Sequence, residues 1–133
     1  MPHTAKNINI EVEKQEILRR YKCLLRAAQK SKTTKDKQLI RKAFDIALDA
    51  HKDMRRKTGE PYIYHPIAVA HIAAEEIGLG TTSIVCALLH DTVEDTDITL
   101  HDIERMFGKK VAKIIDGLTK ISEVVDQSAS IQA

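Results

Sequence analysis

Cysteine is scarce in this sequence, and its scarcity limits how the fold can be stabilised. Cys23 and Cys86 both lie in apolar, helix-like patterns, and neither belongs to a Cys-x-x-Cys pair. Two isolated cysteines do not form the network of bridges on which small secreted domains depend. We therefore expect both thiols to be reduced and buried, and a disulfide-stapled fold is excluded.

Long hydrophobic runs are also missing. No stretch approaches the roughly 20 apolar residues that a helix needs to cross a bilayer. Residues 1–11 are polar and lack the apolar core and small-residue cleavage site of a secretory signal. With 43% hydrophobic and 30% charged residues, the composition is that of a soluble globular protein. The sequence predicts a cytoplasmic protein with no membrane segment.

Aromatic residues make up only 4% of the chain, and few of them lie among the basic residues. Proteins that bind single-stranded nucleic acid usually stack bases on aromatic side chains in a basic groove, so we expect no direct binding of nucleic acid. Residues 1–60 hold 16 Lys and Arg against 8 Asp and Glu, whereas residues 61–133 hold 5 against 11. This split suits a site that holds an anion and a cation together, or two halves that attract each other.

No long alternation of apolar and polar residues marks a strand, so the predicted fold class is all-α. At 133 residues the chain fits one domain with a real hydrophobic core. Helical spacing of apolar residues, together with start signals, predicts six helices. They cover about 9–29, 33–51, 66–77, 82–91, 99–107 and 109–118, and the expected N-caps are Asn9, Thr33, His65, Thr82 and Thr99.

Two of these helices carry apolar residues that we expect to face the core. In the first helix they are Val12, Ile17, Leu18, Tyr21, Leu24, Leu25 and Ala28. In the last they are Val111, Ala112, Ile114 and Ile115. Residues 122–133 are weakly patterned and end without a helix stop signal.

The stretch 84–95, Ile-Val-Cys-Ala-Leu-Leu-His-Asp-Thr-Val-Glu-Asp, runs from apolar residues directly into four groups that can bind a metal or move protons. If it is helical, His90 lies one turn from Glu94. Asp91 then lies one turn from Asp95. Three carboxylates and an imidazole this close repel one another unless a cation or substrate compensates. We prefer a metal or acid/base site to the alternative, a solvated helix end.

The segment 53–66 connects two predicted helices, and Gly59 and Pro61 forbid a continuous helix there. It carries three adjacent bases at 55–57, which face either solvent or an anion. Pro66 suits the first position of the next helix, which leaves the His65 side chain free to turn into the site. His71 lies in the middle of that helix, and we expect it to be structural.

His65, followed by His90-Asp91 and then by Glu94-Asp95, resembles the pattern of HD-type metal-dependent phosphohydrolases. Two longer stretches are similar to the hydrolase domain of the RelA/SpoT family, whose members make or destroy guanosine tetra- and pentaphosphate. They are Arg-Lys-Thr-Gly-Glu-Pro-Tyr-Ile-Tyr-His-Pro at 56–66 and Leu-His-Asp-Thr-Val-Glu-Asp-Thr-Asp-Ile at 89–98, followed by Phe-Gly at 107–108 and Asp-Gly-Leu-Thr-Lys at 116–120. The resemblance covers about 40–120 and implies an HD-domain-like helical bundle.

The resemblance also implies a role for each matching residue. His65, His90 and Asp91 would ligate Mn²⁺, although such nitrogen and oxygen ligands also suit zinc or iron. Glu94 and Asp95 would position or deprotonate the attacking water, which a bound metal makes more acidic. The substrate-binding residues would be Arg56, Lys57 and Thr58, with the arginine stacking on guanine or pairing with phosphate and the lysine acting as a point charge.

The reaction implied is the hydrolysis of guanosine 3′,5′-bis(diphosphate) to GDP and pyrophosphate, within a longer protein that carries synthetase and regulatory domains. Two alternatives stay open. HD folds serve many phosphoesters, so the substrate could be another nucleotide. The domain could also be a non-catalytic regulatory module that binds nucleotide or a partner domain.

One element of the family pattern is absent. A further metal-binding aspartate comes from a Leu-Ala-Asp-Arg-Leu-His-Asn-like segment, and no such segment occurs before Ala133. We therefore expect residues 1–133 to be a single, incomplete hydrolase domain that binds Mn²⁺ weakly or not at all and has little or no activity. We also expect exposed apolar surface through which the chain could self-associate. Neither Asp116 nor Asp126 is expected to replace the missing ligand.

Overall fold

The structure, a computed structural model, describes residues 9–28, 33–77 and 80–132, and the side chains among them except at 76–77 and 121–132. Over these residues it is a bundle of helices without a β-strand, which confirms the all-α prediction. The helices are α1 (Ile10–Ala27), α2 (Thr34–Ala50), α3 (Tyr64–Ile72), α4 (Thr81–Leu89), α5 (Thr92–Asp95), α6 (Leu100–Phe107) and α7 (Lys109–Gln132). A π-helical turn, Ala73–Ile77, follows α3 directly. None of the described helices is both long enough and apolar enough to cross a bilayer.

Three of the predicted N-caps are confirmed. The Asn9 side chain accepts a hydrogen bond of 3.1 Å from the backbone N–H of Val12 at the start of α1. Thr33 and Thr99 open α2 and α6 with reciprocal capping boxes, in which an aspartate three residues later bonds back to the cap. These side chains satisfy backbone donors that the first helical turn leaves without partners.

Two other predicted caps are wrong. Helix α3 begins at Tyr64, two residues before Pro66, so His65 lies inside its first turn and is not the N-cap. The chain is already turning there, because the N–H of Tyr64 donates to the carbonyl of Pro61. A proline fits in a first turn, where its missing N–H has no helical partner. Thr82 is also inside its helix, since Gly80 occupies the cap position of α4.

Helix α4 lies at the centre of the core. It packs against α2, α3 and α7, and α1 packs against α3. The apolar stretch predicted for the core is buried on α4, where Ile84, Leu88 and Leu89 are fully enclosed. On α2 the buried residues are Ile40, Ala43, Phe44 and Ala47. The helix that ends at the candidate site is therefore held on several sides.

The apolar faces predicted to point into the core include residues that are exposed in the structure. Val12 and Leu18 are 56% and 43% exposed, and Ile114 is 37% exposed. In α1 the buried positions Ile17, Tyr21 and Leu24 are spaced by one helical turn, whereas neighbours in sequence point about 100° apart around the axis. Only one stripe of each helix meets the core, and the apolar residues beside it face outward. Cys86 is buried as predicted, but Cys23 is only partly buried.

The ends of two helices also differ from the prediction. The α-helical hydrogen bonding after Tyr64 stops at Ile72, and the last turn before 78 is π-helical. Helix α7 runs to Gln132 and does not stop near 118. Gly117 lies inside it, and no proline or further glycine follows to end the helix.

We predict that Leu88→Ala lowers the free energy of unfolding by about 2–5 kcal/mol, since it removes buried methyl groups and leaves a cavity beneath the site. The measurement is urea unfolding followed by circular dichroism in a chelating buffer. Leu18→Ala is the matched control, and its 43% exposed side chain should cost no more than about 0.5 kcal/mol. Equal losses for the two variants would contradict the placement of α4.

Candidate metal centre

The site begins where α4 ends. Helix α4 stops at Leu89, and His90 and Asp91 lie between α4 and the short α5, so the predicted continuous helix over 82–91 is interrupted. The buried Thr92 hydroxyl donates to the carbonyl of Leu89 at 2.7 Å and so satisfies one acceptor at the end of α4. Both residues of the break keep helical backbone angles, and the N–H of Asp95 donates to the carbonyl of Asp91. Asp91 and Asp95 therefore remain one turn apart.

The structure brings together the three residues predicted to bind a metal. His65 comes from the first turn of α3, and His90 and Asp91 come from the end of α4. One ligand atom from each lies within 4.8 Å of the others. The Nε2 atom of His90 is 3.1 Å from Oδ1 of Asp91, and Nε2 of His65 is 3.8 Å from Oδ2 of the same carboxylate. Packing of α3 on α4 thus joins residues that are 25 positions apart in sequence.

The orientation of His90 fits a metal ligand. Its Nδ1 lies 2.8 Å from the carbonyl oxygen of Ala87, where an N–H donates to the backbone. This bond points Nε2 toward Asp91, where it could bind a metal once it has lost its proton, as in metal-bound histidines. Two imidazole nitrogens and one carboxylate oxygen suit a first-row divalent ion, and three protein ligands leave coordination positions for water or substrate.

The charges in the cluster are coupled. The hydrogen bond with Asp91 raises the pKa of His90 above its ordinary value of 6.5. Burial opposes ionisation of Asp91, but hydrogen bonds with His90 and Tyr62 hold its pKa below the usual range. Burial, followed by the nearby Arg56, lowers the pKa of His65. Near neutral pH the cluster therefore offers an ionised carboxylate and a neutral His65, which are the forms that bind metal.

Two residues that the sequence analysis did not single out line the cluster. The Tyr62 hydroxyl is 2.9 Å from Oδ2 of Asp91 and 3.2 Å from Oδ2 of Asp95. Its ring lies 4.6 Å, centroid to centroid, from the ring of His51, which is buried at the end of α2. The available signals were weak: Tyr62 is three residues before His65, and His51 closes an amphipathic helix. Burial and the Asp91 bond raise the pKa of Tyr62, so its hydroxyl stays a donor.

The residues predicted to handle water lie at the exposed rim. Glu94 and Asp95 are both exposed on α5. Glu94 is near enough for its charge to favour protonation of His90, and Asp95 reaches the Tyr62 hydroxyl. His71 is not part of the cluster and pairs with Glu75 at 3.1 Å, which agrees with the structural role expected for it.

The basic segment forms a tight turn beside the cluster. Gly59 has a φ of +93°, which only glycine adopts without strain, and its N–H donates to the carbonyl of Arg56. Arg55 is structural, since its guanidinium pairs with Glu13 at 2.6 Å. The Arg56 guanidinium lies 5.9 Å from the centre of the Tyr62 ring, at the edge of the metal cluster. Lys57 and Thr58 are exposed on the turn.

Over the described residues, the protein is a helical domain that joins two histidines and an aspartate in a group that could hold a divalent metal ion. A family model described as the HD domain matches residues 43–133. The chain belongs to the HD-domain family, as its sequence pattern indicates.

Among curated proteins, the chain is 47% identical over 85 residues to the guanosine-3′,5′-bis(diphosphate) 3′-pyrophosphohydrolase of Aquifex aeolicus, covering 64% of this chain and 12% of that protein. It is 46% identical over 85 residues to the bifunctional (p)ppGpp synthase/hydrolase SpoT of Escherichia coli, again covering 64% and 12%. It is also 45% identical over 85 residues to the GTP pyrophosphokinase of Streptomyces coelicolor, covering 64% and 10%. The chain thus spans about an eighth or less of these relatives. They confirm the resemblance to RelA/SpoT proteins.

A solved structure gives the same result for the fold. It is described as a metazoan ortholog of SpoT that hydrolyzes ppGpp and plays a role in starvation responses. The match has a TM-score of 0.58 at 29% sequence identity and covers 65% of this chain and 48% of that one. The predicted HD-domain-like helical bundle is confirmed.

We predict that the affinity of the cluster for a divalent ion falls as the pH is lowered through the raised pKa of His90. A proton on Nε2 must leave before the metal binds, so each pH unit below that pKa costs up to about tenfold in affinity. Titration calorimetry with Mn²⁺ at several pH values measures the slope, and His71→Asn, outside the cluster, should leave it unchanged. An affinity independent of pH would contradict His90 as a ligand.

In the metal-free protein, His90 makes the stability of the fold depend on pH in the opposite sense: a lower pH favours its pair with Asp91. Because the folded-state pKa of His90 is raised, its pair with Asp91 stabilises the fold fully below the unfolded-state pKa of about 6.5. That stabilisation is lost as the pH rises through the folded-state pKa. Urea unfolding in a chelating buffer at matched pH values serves as the control for the metal titration.

Proposed function

We propose that this chain provides residues of a Mn²⁺-dependent hydrolase domain that converts guanosine 3′,5′-bis(diphosphate) to GDP and pyrophosphate. The observation that carries the proposal is the cluster of His65, His90 and Asp91, with ligand atoms within 4.8 Å of one another. Relatives at 46–47% identity are named for this hydrolysis. Residues 1–133 would form a single unit, within which the motifs lie at 40–120.

In this proposal the three clustered residues hold Mn²⁺, which when bound polarises the 3′-diphosphate and lowers the pKa of a water molecule. Glu94 and Asp95 orient or deprotonate that water. Their exposed position on α5, directly after the ligand pair, supports this role because water and substrate reach them from the open side. Asp95 is also tied to the cluster through the Tyr62 hydroxyl.

Arg56, Lys57 and Thr58 are proposed to bind the nucleotide. Arg56 is the best supported, because its guanidinium lies at the edge of the cluster, 5.9 Å from the Tyr62 ring centroid. Its planar guanidinium can stack on guanine or pair with phosphate, whereas Lys57 supplies a point charge. The basic turn and the acidic cluster together suit an anionic substrate. The turn would bind it directly, and the cluster would bind it through a metal ion.

The proposal includes a longer protein. One relative is named a bifunctional synthase/hydrolase and another a GTP pyrophosphokinase, so we propose that the domain works beside a synthetase domain and regulatory domains in the cytoplasm. The exposed apolar residues Ile114 and Leu118 on α7, 37% and 39% exposed, would then lie against further protein.

A second candidate function is nucleotide binding without turnover. Among the described side chains the cluster contains three ligands and no fourth carboxylate, which favours weak metal binding. Asp116 does not supply the fourth ligand, since it pairs with Lys120 at 3.1 Å on the same helix. The side chain of Asp126 lies outside the described residues. A regulatory module would bind nucleotide without needing the metal, and this separates the two candidates.

We predict that pyrophosphate release from guanosine tetraphosphate by a longer protein that contains this domain requires Mn²⁺ and stops in a chelating buffer. Replacing both His90 and Asp91 by Ala should lower the rate by more than about 100-fold, because even groups that only support metal ligands are worth about 10 to 100-fold. His71→Ala is the matched control. Full activity of the double variant would contradict the assignment. Nucleotide binding that calorimetry shows to be independent of metal, without turnover, would favour the regulatory module.

We predict that in a complete hydrolase Arg56→Ala and Lys57→Ala raise the Michaelis constant more than they lower turnover, since both bind groups that keep their charge in the transition state. Loss of a charge-assisted hydrogen bond of about 1.5–3 kcal/mol corresponds to about 10 to 100-fold in affinity. Steady-state kinetics measure both constants. Arg41→Ala removes an exposed arginine that pairs with Asp45 on α2, and it should change neither constant. A collapsed turnover rate at unchanged affinity would instead make Arg56 a transition-state group.

A further inference from the structure

The Tyr62 hydroxyl lies between two carboxylates. It is 2.9 Å from Oδ2 of Asp91 and 3.2 Å from Oδ2 of Asp95. The other oxygen of Asp91, Oδ1, faces Nε2 of His90 at 3.1 Å. A single phenolic proton therefore serves two acceptors, one on a metal-ligand residue and one at the exposed rim.

Contacts with the end of α2 and with the turn after it hold Tyr62 in place. Its backbone N–H donates to the carbonyl of Met54 at 2.9 Å, and its ring packs on His51 at a centroid distance of 4.6 Å and a tilt of 32°. His51 is only 2% exposed at the end of α2, and its Nε2 atom makes no hydrogen bond to a described residue. Its contribution is thus through packing, which limits where the Tyr62 hydroxyl can point.

We propose that Tyr62 is a positioning residue that keeps Asp91 in its metal-ligating rotamer and holds Asp95 beside it. The inference rests on the metal site of the proposed function. Without the phenolic proton, two like charges would face each other across the vacated position and repel, and the Asp91 side chain would be free to leave its rotamer. Carboxylates that bind metals are themselves held by hydrogen bonds, whose loss costs about 10 to 100-fold in metal affinity.

The direct test is Tyr62→Phe, which removes the hydroxyl and keeps the ring that packs on His51. Titration calorimetry with Mn²⁺ alone should show affinity about 10 to 100-fold weaker than in the unsubstituted chain. The matched control is Tyr64→Phe, the same chemical change two residues away. The Tyr64 ring is 9% exposed and stacks under the Arg20 guanidinium at 3.9 Å, so this variant should bind Mn²⁺ normally.

A second variant keeps the inference testable if Tyr62→Phe does not fold, as judged by circular dichroism. The chain has three tyrosines and no tryptophan, so Tyr21→Phe combined with Tyr64→Phe leaves Tyr62 as the sole source of near-ultraviolet tyrosine absorbance. The buried hydroxyl of Tyr21 has no described hydrogen-bond partner, so its removal should be tolerated. Mn²⁺ should then shift the Tyr62 absorbance, because binding changes the charge on its acceptor, and the shift should saturate together with the calorimetric signal.

Three results with the variants would overturn the inference. They are normal Mn²⁺ affinity in Tyr62→Phe, equal losses in Tyr62→Phe and Tyr64→Phe, or an absorbance in the double variant that Mn²⁺ leaves unchanged. Absence of Mn²⁺ binding by the unsubstituted chain would also overturn it, because a carboxylate that holds no metal needs no positioning. None of these measurements uses a nucleotide. Failure of a longer protein that contains this domain to hydrolyse guanosine tetraphosphate, with Mn²⁺ affinity lowered in Tyr62→Phe, would count against the substrate alone.

Discussion

The half-buried carboxylate of Asp91 is the group on which the rest of the site depends. Its side chain is only 17% exposed, and burying an ionised acid is costly unless donors and opposite charges surround it. His90 faces one oxygen, and Tyr62 donates to the other with His65 nearby. These groups keep the acid ionised in the metal-free protein. A divalent ion could then take the place of the proton on His90 and bind the same ligand atoms. The same contacts thus stabilise the fold and hold together atoms that could bind a divalent ion.

Helix α4 connects this carboxylate to the hydrophobic core. Its apolar residues are enclosed by α2, α3 and α7, so the position of its C-terminal end is determined by close packing on several sides. Helix α3 brings His65, and the end of α2 brings His51 and, through the following turn, Tyr62. A site built from the ends of packed helices is held more precisely than one carried by a loop. The basic turn places the Arg56 guanidinium 5.9 Å from the centre of the Tyr62 ring, beside the cluster.

Much of the fold was predictable because its signals are local. The capping residues Asn9, Thr33 and Thr99 act on backbone groups three residues away, and the structure confirms all three. The start of α3 was not predictable from Pro66, since a proline is accepted at several positions of a first turn. The exposure of Leu18 and Ile114 was missed for a similar reason: an apolar residue beside a buried stripe has the same sequence signal whether or not a neighbouring helix covers it.

For the site, the sequence alone determined the adjacency of His90 and Asp91, the turn between Asp91 and Asp95, and the family resemblance that pointed to His65. These depend on covalent neighbours and helical geometry, which act over a few residues. Only the tertiary structure decided that Tyr62 donates to Asp91, 29 residues further along the chain, and that His51 packs behind it. A tyrosine in a loop and a histidine at a helix end have no distinctive local pattern. Their role arises from the packing of α2 and α3 around α4, which places side chains from three segments around Asp91.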